Sequence, residues 1–125
     1  MKYKTFEEIP VWLDSHQLTL RIYQITTSFP KEEKFSLTSQ IRRSMSSIPA
    51  NIAEGFYRRT TKELLTFLYN SRGSAGETRY HLILSKDLGY INDSNYLQLR
   101  TSIDNVIAQL SGWIKSLTNL KEPRK

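Results

Sequence analysis

The chain has 125 residues, a formal net charge of +6 and no cysteine. This length suits one domain with a single hydrophobic core that needs neither disulfides nor metals. The lack of cysteine excludes zinc–thiolate sites, redox dithiols and thiol nucleophiles. No apolar run is long enough to span a bilayer, and the first residues lack the apolar stretch of a signal peptide, so we expect a cytoplasmic protein. The basic charge favours polyanionic partners such as nucleic acid.

Two amphipathic helices are predicted in the first half of the chain, because apolar residues recur there at alternating spacings of three and four. The first spans about residues 9–29 and ends before Pro30, since proline disfavours helix at the residue before it. The second spans about residues 36–57, and Gly55 can let the chain leave the helix or let a neighbour approach closely. The two apolar stripes are Val11, Ser15, Leu18, Ile22, Ile25 and Phe29, and then Leu37, Ile41, Met45, Ile48, Ile52 and either Gly55 or Phe56.

Two longer helices are predicted in the second half. The third spans about residues 60–89 and opens with a capping box, in which Thr60 accepts from the Glu63 amide while Glu63 reaches back. Gly89 supplies a left-handed stop. The fourth spans about residues 93–120 and follows a run of possible N-caps. The stripes are Leu64, Leu68, Ser71, Ala75, Thr78, Leu82 and Ser85, and then Tyr96, Leu99, Ile103, Val106, Leu110, Trp113, Leu117 and Leu120.

Four such helices joined by short connections bury their stripes most economically as an antiparallel bundle. We therefore predict an all-α fold, an up-down-up-down four-helix bundle that forms a single domain over residues 1–125. The basic tail at residues 121–125 is expected to lie outside the core and to be mobile.

The segment at residues 46–56 breaks local rules, because it places a proline, an asparagine and a glutamate inside a helix. Pro49 removes a backbone hydrogen bond and is expected to kink the helix, at a cost of about 3 kcal/mol unless packing compensates. Helical spacing also creates a polar stripe on each of the two middle helices. The stripes are Ser47, Asn51, Glu54 and Arg58 in the second helix, and Asn70, Ser74, Glu77 and His81 in the third.

We predict that these two polar stripes contact each other. Gly73 and Gly76 each cost about 1 kcal/mol against alanine within a helix, so a neighbouring backbone is expected to approach closely there. Glu54 and Glu77 then need partners, because a buried carboxylate is tolerable only when it is paired. The candidate partners are Arg42, Arg43, Arg72 and Arg79.

Two interpretations of this polar region stay open. In the first, Ser47, Asn51, Glu54, Ser74 and Glu77 form a network that fixes helix register or a subunit interface. In the second, the region is a ligand or nucleic-acid site.

Enzymatic chemistry has little support in the residue pattern. Four-helix bundles can hold di-iron sites built from glutamates and Glu-x-x-His pairs, but Glu77 and His81 are four residues apart and no second pair exists. His16 stands alone, and a nucleophile elbow is absent. The HEPN ribonuclease motif is also missed, because Arg79 precedes His81 by only two residues. We therefore predict no catalytic residue, metal site, cofactor or small-molecule substrate.

Nucleic acid is the partner that the charge pattern favours. Arg58, Arg59 and Lys62 cluster at the turn between the second and third helices beside Phe56 and Tyr57, a mixture suited to phosphate contacts and base stacking. In the alternative, Phe56 belongs to the core, Tyr57 is an oligomer contact and the cations only solvate a helix end. The candidate nucleic-acid-binding residues are Arg42, Arg43, Arg58, Arg59, Lys62, Arg72 and Arg79.

Several blocks of the sequence resemble a known family, and they are residues 37–43, 47–55, 67–69, 73–78 and 88–91. With these blocks the chain resembles, over nearly its whole length, the proteins encoded in intervening sequences of bacterial 23S ribosomal RNA genes, also called the S23 ribosomal-protein-like family. The resemblance implies a ring-shaped homo-oligomer, a pentamer, without established enzymatic activity. More distantly, the chain is similar to the accessory variability proteins of diversity-generating retroelements, which bind a reverse transcriptase and nucleic acid through a basic pentamer surface.

Two functions therefore stay open. One is a non-enzymatic, ring-forming module that binds RNA, DNA or a ribonucleoprotein through modest basic patches, which the ring repeats. The other is a purely structural or protein-interaction oligomer in which the basic charge is incidental.

Overall fold

The computed structural model describes residues 2–121, which form four α-helices. They are α1 (Pro10–Thr26), α2 (Leu37–Phe56), α3 (Thr61–Asp87) and α4 (Asp93–Lys121), with short 3₁₀ turns at Phe6–Glu8 and Lys31–Glu33. This part of the chain contains no strand, so the prediction of an all-α four-helix bundle is confirmed. The predicted basic tail lies outside the described residues, apart from Lys121, where α4 ends. None of the described helices combines the length and the apolarity needed to cross a lipid bilayer.

Side-chain contacts between helices show that neighbouring helices are antiparallel. Between α2 and α3, Ser44 contacts Thr78, whereas Ser47, one turn later, contacts Ser74, one turn earlier. Each helix packs against its neighbours in sequence, and α1 also packs against α4. The same reversed order relates α4 to α1 and to α3, through the pairs Asp14–Gln109, Arg21–Gln98, Arg72–Ser111 and Arg79–Asp104.

The buried core comes from the predicted apolar stripes of all four helices. In α2 and α3 the stripe is buried along its whole predicted length, polar members included. In α4 it is buried from Leu99 to Leu110, whereas the predicted Trp113 is half-buried and Leu120 is exposed. Ile114, which was not predicted, is buried beside Trp113. The largest fully buried side chains include Ile22, Ile41, Met45, Ile48, Ile52, Leu68, Leu82, Leu99, Ile103 and Leu110.

Helix α1 ends at Thr26, three residues before the predicted end at Phe29. The amides of residues 27–29, and the hydroxyls of the first two of them, donate to carbonyls three residues back. Such shorter bonds tighten the last turn and satisfy carbonyls that would otherwise lack a partner at a helix end. The hydroxyl-rich sequence therefore ends the helix before Pro30 does.

Helix α3 begins and ends with the predicted signals. The Glu63 amide donates to Thr60 Oγ1 at 3.1 Å. Glu63 also reaches back as predicted, and its carboxylate accepts from the Thr60 hydroxyl at 3.0 Å. After α3 ends at Asp87, Gly89 adopts a φ of 82°, which is the left-handed conformation that the sequence predicted.

Candidate nucleic-acid interface

The seven cationic residues predicted to bind nucleic acid do not form one patch. They fall into three groups, which are Arg42 and Arg43 near the start of α2, Arg58, Arg59 and Lys62 at the α2–α3 turn, and Arg72 and Arg79 along α3. An α-helix rises 1.5 Å per residue, so Arg43 lies about 20 Å from Phe56, the last residue of α2, after which the second group begins. The bundle therefore presents separate cationic regions at the two ends of α2.

The two arginines of α3 contact α4. Arg79 Nε lies 3.3 Å from Asp104 Oδ1. Arg72 Nη1 donates to Ser111 Oγ at 3.3 Å, and its guanidinium lies 5.5 Å from the ring centroid of Tyr69. Because these cations already link α3 to α4, they are poorer candidates for phosphate contacts than the exposed cations at the ends of α2.

The turn between α2 and α3 carries a group of cations, some of which are engaged within the chain. Arg58 Nη2 lies 2.7 Å from Glu54 Oε2, and the guanidinium stacks over Phe67 at 4.6 Å from the ring centroid. Arg59 and Lys62 are exposed. Exposed side chains can reach phosphate groups without first breaking a buried contact.

Aromatic rings accompany these cations. Tyr57 is 66% exposed, and its ring makes T-shaped contacts with Phe6 and Phe56, with centroids 6.1 and 5.1 Å apart, respectively. Phe56 itself is half-buried against the core. We call Tyr57, Arg58, Arg59 and Lys62 the turn cluster.

A second cation–aromatic cluster lies at the start of α2, and the sequence pattern predicted only its two arginines. Phe35 is 89% exposed, and Lys34 Nζ lies 5.4 Å from the centroid of its ring. Arg42 stacks over Tyr23 at 4.8 Å from the ring centroid. Arg42 also donates to the Tyr23 carbonyl at 3.1 Å, near the end of α1. A groove of about 400 Å³, which we call the Phe35 groove, is lined by Tyr23, Lys34, Phe35, Thr38, Ser39, Arg42 and Arg43.

The turn that carries Phe35 is held by the carboxylate of Glu33. Glu33 Oε1 accepts from Ser36 Oγ at 2.6 Å and from the Leu37 amide at 3.3 Å, while Oε2 accepts from the Tyr90 hydroxyl at 2.8 Å. The bonds from Ser36, Tyr90 and Leu37, in that order, lower the pKa of Glu33. The bond to Glu33 raises the pKa of Tyr90. This network ties the α1–α2 connection to the α3–α4 connection.

Small polar side chains line the contact between α2 and α3. Ser44 Oγ and Thr78 Oγ1 are 2.8 Å apart, and Ser47 Oγ and Ser74 Oγ are 3.0 Å apart. Asn51 Nδ2 donates to the Ser47 carbonyl at 2.8 Å and to its hydroxyl at 3.0 Å. We call these five residues the hydroxyl seam. The seam brings together Ser47, Asn51 and Ser74, as the first interpretation of the polar stripes expected.

Glu54 and Glu77 do not belong to the hydroxyl seam. Their side chains are 55% and 53% exposed, respectively. Each contacts a residue one turn later on its own helix, Glu54 with Arg58 and Glu77 with His81, at 2.7 and 3.1 Å. Within this chain, the expectation of buried carboxylates paired with the four named arginines is wrong. Short hydroxyl side chains meet between the two helices, whereas the two longer acids extend towards solvent.

The predicted close approach at Gly73 and Gly76 is also wrong within this chain. Both glycines are exposed, and a Cβ added at either would meet no atom within 4 Å. The close approach occurs at Gly55, where a Cβ would lie 2.8 Å from Phe67 Cβ and 3.1 Å from Leu64 Cδ1. Helix spacing alone does not distinguish a glycine that faces a neighbour from one that faces solvent.

Comparison with known proteins decides the family. The family model described as 23S rRNA-intervening sequence protein matches residues 7–112. The chain belongs to this family. It is also similar to a solved structure of a protein with unknown function from the S23 ribosomal protein family of Bacteroides thetaiotaomicron, with a TM-score of 0.78 and 28% identity over 84% of this chain and 95% of that one. A comparison with curated proteins found no match. The resemblance inferred from the sequence blocks is therefore confirmed.

One of the sequence blocks that carry the family resemblance has a clear packing role. Residues 47–55 lie in the part of α2 that contacts α3, and Pro49 lies buried within the uninterrupted helix. Ser71 Oγ of α3 donates to the Ile48 carbonyl at 2.9 Å. Gly55 has no side chain, so Phe67 of α3 can pack closely against it. In this family member the block therefore fixes how α2 sits on α3.

The surface chemistry of the described residues limits what the bundle can do. Within residues 2–121, no three His, Asp or Glu side chains are grouped so that they could hold a metal ion. The His16 ring stacks on Trp12 with their centroids 4.9 Å apart, and His81 is buried beside Glu77. What the surface presents is exposed cations beside exposed aromatic rings at both ends of α2.

Proposed function

We propose that this chain is a non-enzymatic, self-associating bundle that binds nucleic acid through the cations at the two ends of α2, and that it works in the cytoplasm. One observation carries the proposal. At each end of α2 an exposed aromatic ring accompanies an exposed arginine, Phe35 with Arg43 and Tyr57 with Arg59. Cations bind phosphate groups irrespective of sequence, and aromatic rings stack with bases. The net charge of +6 supports the same class of partner.

Self-association would strengthen these modest contacts. In a ring of five, the assembly that the family resemblance implies, every chain contributes both clusters, and later contacts form at a high effective concentration. The exposed side of α3 supports packing by a second copy. We call it the α3 glycine face, and it consists of Tyr69, Gly73, Gly76 and Tyr80. Each helical glycine costs about 1 kcal/mol against alanine, a cost that close packing by a neighbouring subunit would offset.

The test of nucleic-acid binding is fluorescence anisotropy with labelled RNA and DNA of mixed sequence, repeated over a range of salt concentrations. We expect Arg43→Glu and Arg59→Glu each to weaken binding to all sequences and to reduce the slope of log affinity against log salt by about one. Lys115→Glu is the matched control, because Lys115 is an exposed cation on α4 outside both clusters. The control carries the same change in net charge and is expected to bind more tightly than either cluster variant.

Two results would contradict the proposed binding. One is the absence of binding by the unmodified chain at about 50 mM salt, where electrostatic contacts are strong. The other is an equal loss of binding in the Lys115→Glu control, which would show that only net charge matters.

The second candidate function is a purely structural oligomer with incidental charge, and the α3 glycine face is the feature that favours it. Light scattering tests the assembly, with a mass five times the 14.6 kDa of one chain as the expected result. Gly76→Gln is expected to lower that mass, whereas Gly112→Gln is not, although a Cβ at either glycine meets no atom within 4 Å. An intact ring that binds no nucleic acid would support this second candidate. A monomer would contradict self-association in both.

A further inference from the structure

We infer that the Phe35 groove binds an unpaired base of single-stranded nucleic acid, with the base stacked on Phe35 and the adjoining phosphates on Lys34 and Arg43. This inference rests on the proposed function and narrows it, because it names the strand state of the ligand. It also names the end of α2 at which the bases are contacted.

Phe35 is the most exposed large apolar side chain among those that the structure describes. At 89% exposure its ring contributes nothing to the core of this chain. It lies one residue before Ser36, the N-cap of α2, so it projects from a connection and not from a packed helix face. A ring in this position has a face open to a flat partner.

The charges around Phe35 indicate which kind of planar molecule fits against its ring. The lining of the groove contains three cations, Lys34, Arg42 and Arg43, and no carboxylate. Arg42 is held in place by bonds to Thr26 Oγ1 at 2.8 Å and to the Tyr23 carbonyl at 3.1 Å. Lys34 and Arg43 are exposed and can turn towards a phosphate. A base that carries a phosphate on either side matches a ring flanked by two mobile cations.

The groove is already organised for such a ligand. The Glu33 carboxylate accepts from the hydroxyls of Ser36 and Tyr90, so Phe35 lies between two residues, Glu33 and Ser36, that are bonded to each other. Arg42 and Tyr23, which also line the groove, form a stacked cation–aromatic pair with the guanidinium 4.8 Å from the ring centroid. Little ordering of the chain is needed when a base enters, which favours affinity.

The ligand must be an unpaired base, because a duplex covers the base faces that an aromatic ring would contact. In a duplex both faces of each base are covered by its neighbours, and protein side chains reach only base edges, sugars and phosphates. In a single strand the bases can be splayed out and stacked on aromatic rings. An aromatic ring beside cations therefore discriminates between the two forms, whereas cations alone do not.

The test is anisotropy titration of the full chain with RNA and DNA single strands about 12 nucleotides long and with the matching duplexes. Phe35→Leu keeps an apolar side chain and removes the aromatic face. We expect it to weaken single-strand binding about 5-fold or more and to leave duplex binding unchanged. Phe35→Trp is expected to restore single-strand binding. Leu97→Ala is the control, because Leu97 is 65% exposed on α4 outside the groove.

A second measurement reports stacking directly. A single strand that contains the fluorescent base 2-aminopurine is expected to be quenched by the unmodified chain and by Phe35→Trp. Phe35→Leu is expected to reduce that quenching at saturating protein. Comparison of the RNA and DNA strands shows which sugar the groove prefers, and preference for either agrees with the inference.

The outcomes separate this inference from the proposed function. If the unmodified chain binds no nucleic acid at all, both are wrong. If it binds single strands and duplexes equally, and Phe35→Leu binds like the unmodified chain, only the inference is overturned. If Phe35→Leu changes the mass measured by light scattering, Phe35 is a contact between subunits and the inference is overturned as well.

Discussion

Replacing Gly55 by alanine tests the packing of α2 on α3. The added Cβ would lie 2.8 Å from Phe67 Cβ and 3.1 Å from Leu64 Cδ1. The Cβ of Phe67 is attached to the α3 backbone, so this clash cannot be relieved by rotating a side chain, and the two helices must separate. Overpacking of this kind costs about 1–3 kcal/mol. Alanine regains at most about 1 kcal/mol of helix propensity, and less here because Gly55 lies next to the last residue of α2.

We therefore expect Gly55→Ala to lower the free energy of unfolding by about 1–2 kcal/mol. Thermal unfolding followed by circular dichroism, at matched protein concentration, should show a Tm lower by about 4–8 °C. Gly112→Ala is the control, since a Cβ at that position in α4 meets no atom within 4 Å. It should be stabilised by about 0.5–1 kcal/mol. If Gly55→Ala melts at or above the unmodified chain while Gly112→Ala behaves as expected, the packing argument is refuted.

Two further predictions concern the polar contacts of the bundle. Thr78→Val removes the hydroxyl that lies 2.8 Å from Ser44 Oγ at a fully buried position, and urea unfolding should show a loss of about 1–2 kcal/mol. A loss no greater than that of Thr66→Val, an exposed change on the same helix, would contradict this. Glu33 has a pKa lowered from 4.5, first by the bond from Ser36, so its ionised form stabilises the fold above about pH 4.5, and this stabilisation is lost as the pH falls through the folded pKa. The Tm difference between the unmodified chain and Glu33→Gln should therefore shrink on acidification below about pH 4.5, and a constant difference would show that the carboxylate network does not act as described.

The bundle was predictable because burial follows helical spacing whatever the chemistry of the residue. Ser71 and Thr78 are polar, yet they stand in the three-four series of α3 and are fully buried.

The positions of Glu54 and Glu77 were predicted wrongly because spacing gives only the angular position of a side chain on its helix. The width of the gap between two helices decides whether a long acid can lie in it, and that width depends on both partners.

The candidate interface was only partly predictable, and Phe35 shows why. It lies between two helices, where no periodic pattern indicates which side chains are exposed. The turn that carries Phe35 is held by the bond from Tyr90 to Glu33, which joins residues 57 positions apart in the sequence. The sequence does hold a usable signal, since Phe35 stands beside Lys34 and outside the apolar stripe that starts at Leu37. An aromatic residue excluded from a well-formed stripe and adjacent to a cation is a candidate for surface recognition.

The same helix supports packing and the candidate interface, but it uses different parts for each. The middle of α2 is fixed against α3 by the hydroxyl seam, whereas Arg43 and Arg59 lie near its ends. A helix held along its middle keeps Arg43 about 20 Å from Phe56, beside which the turn cluster begins. The exposed cluster residues make no core contacts, so substitutions at Arg43 and Arg59 are expected to change stability by less than about 0.5 kcal/mol. Losses of binding in these variants can therefore be attributed to the surface contact, because the scaffold that positions them is stabilised elsewhere.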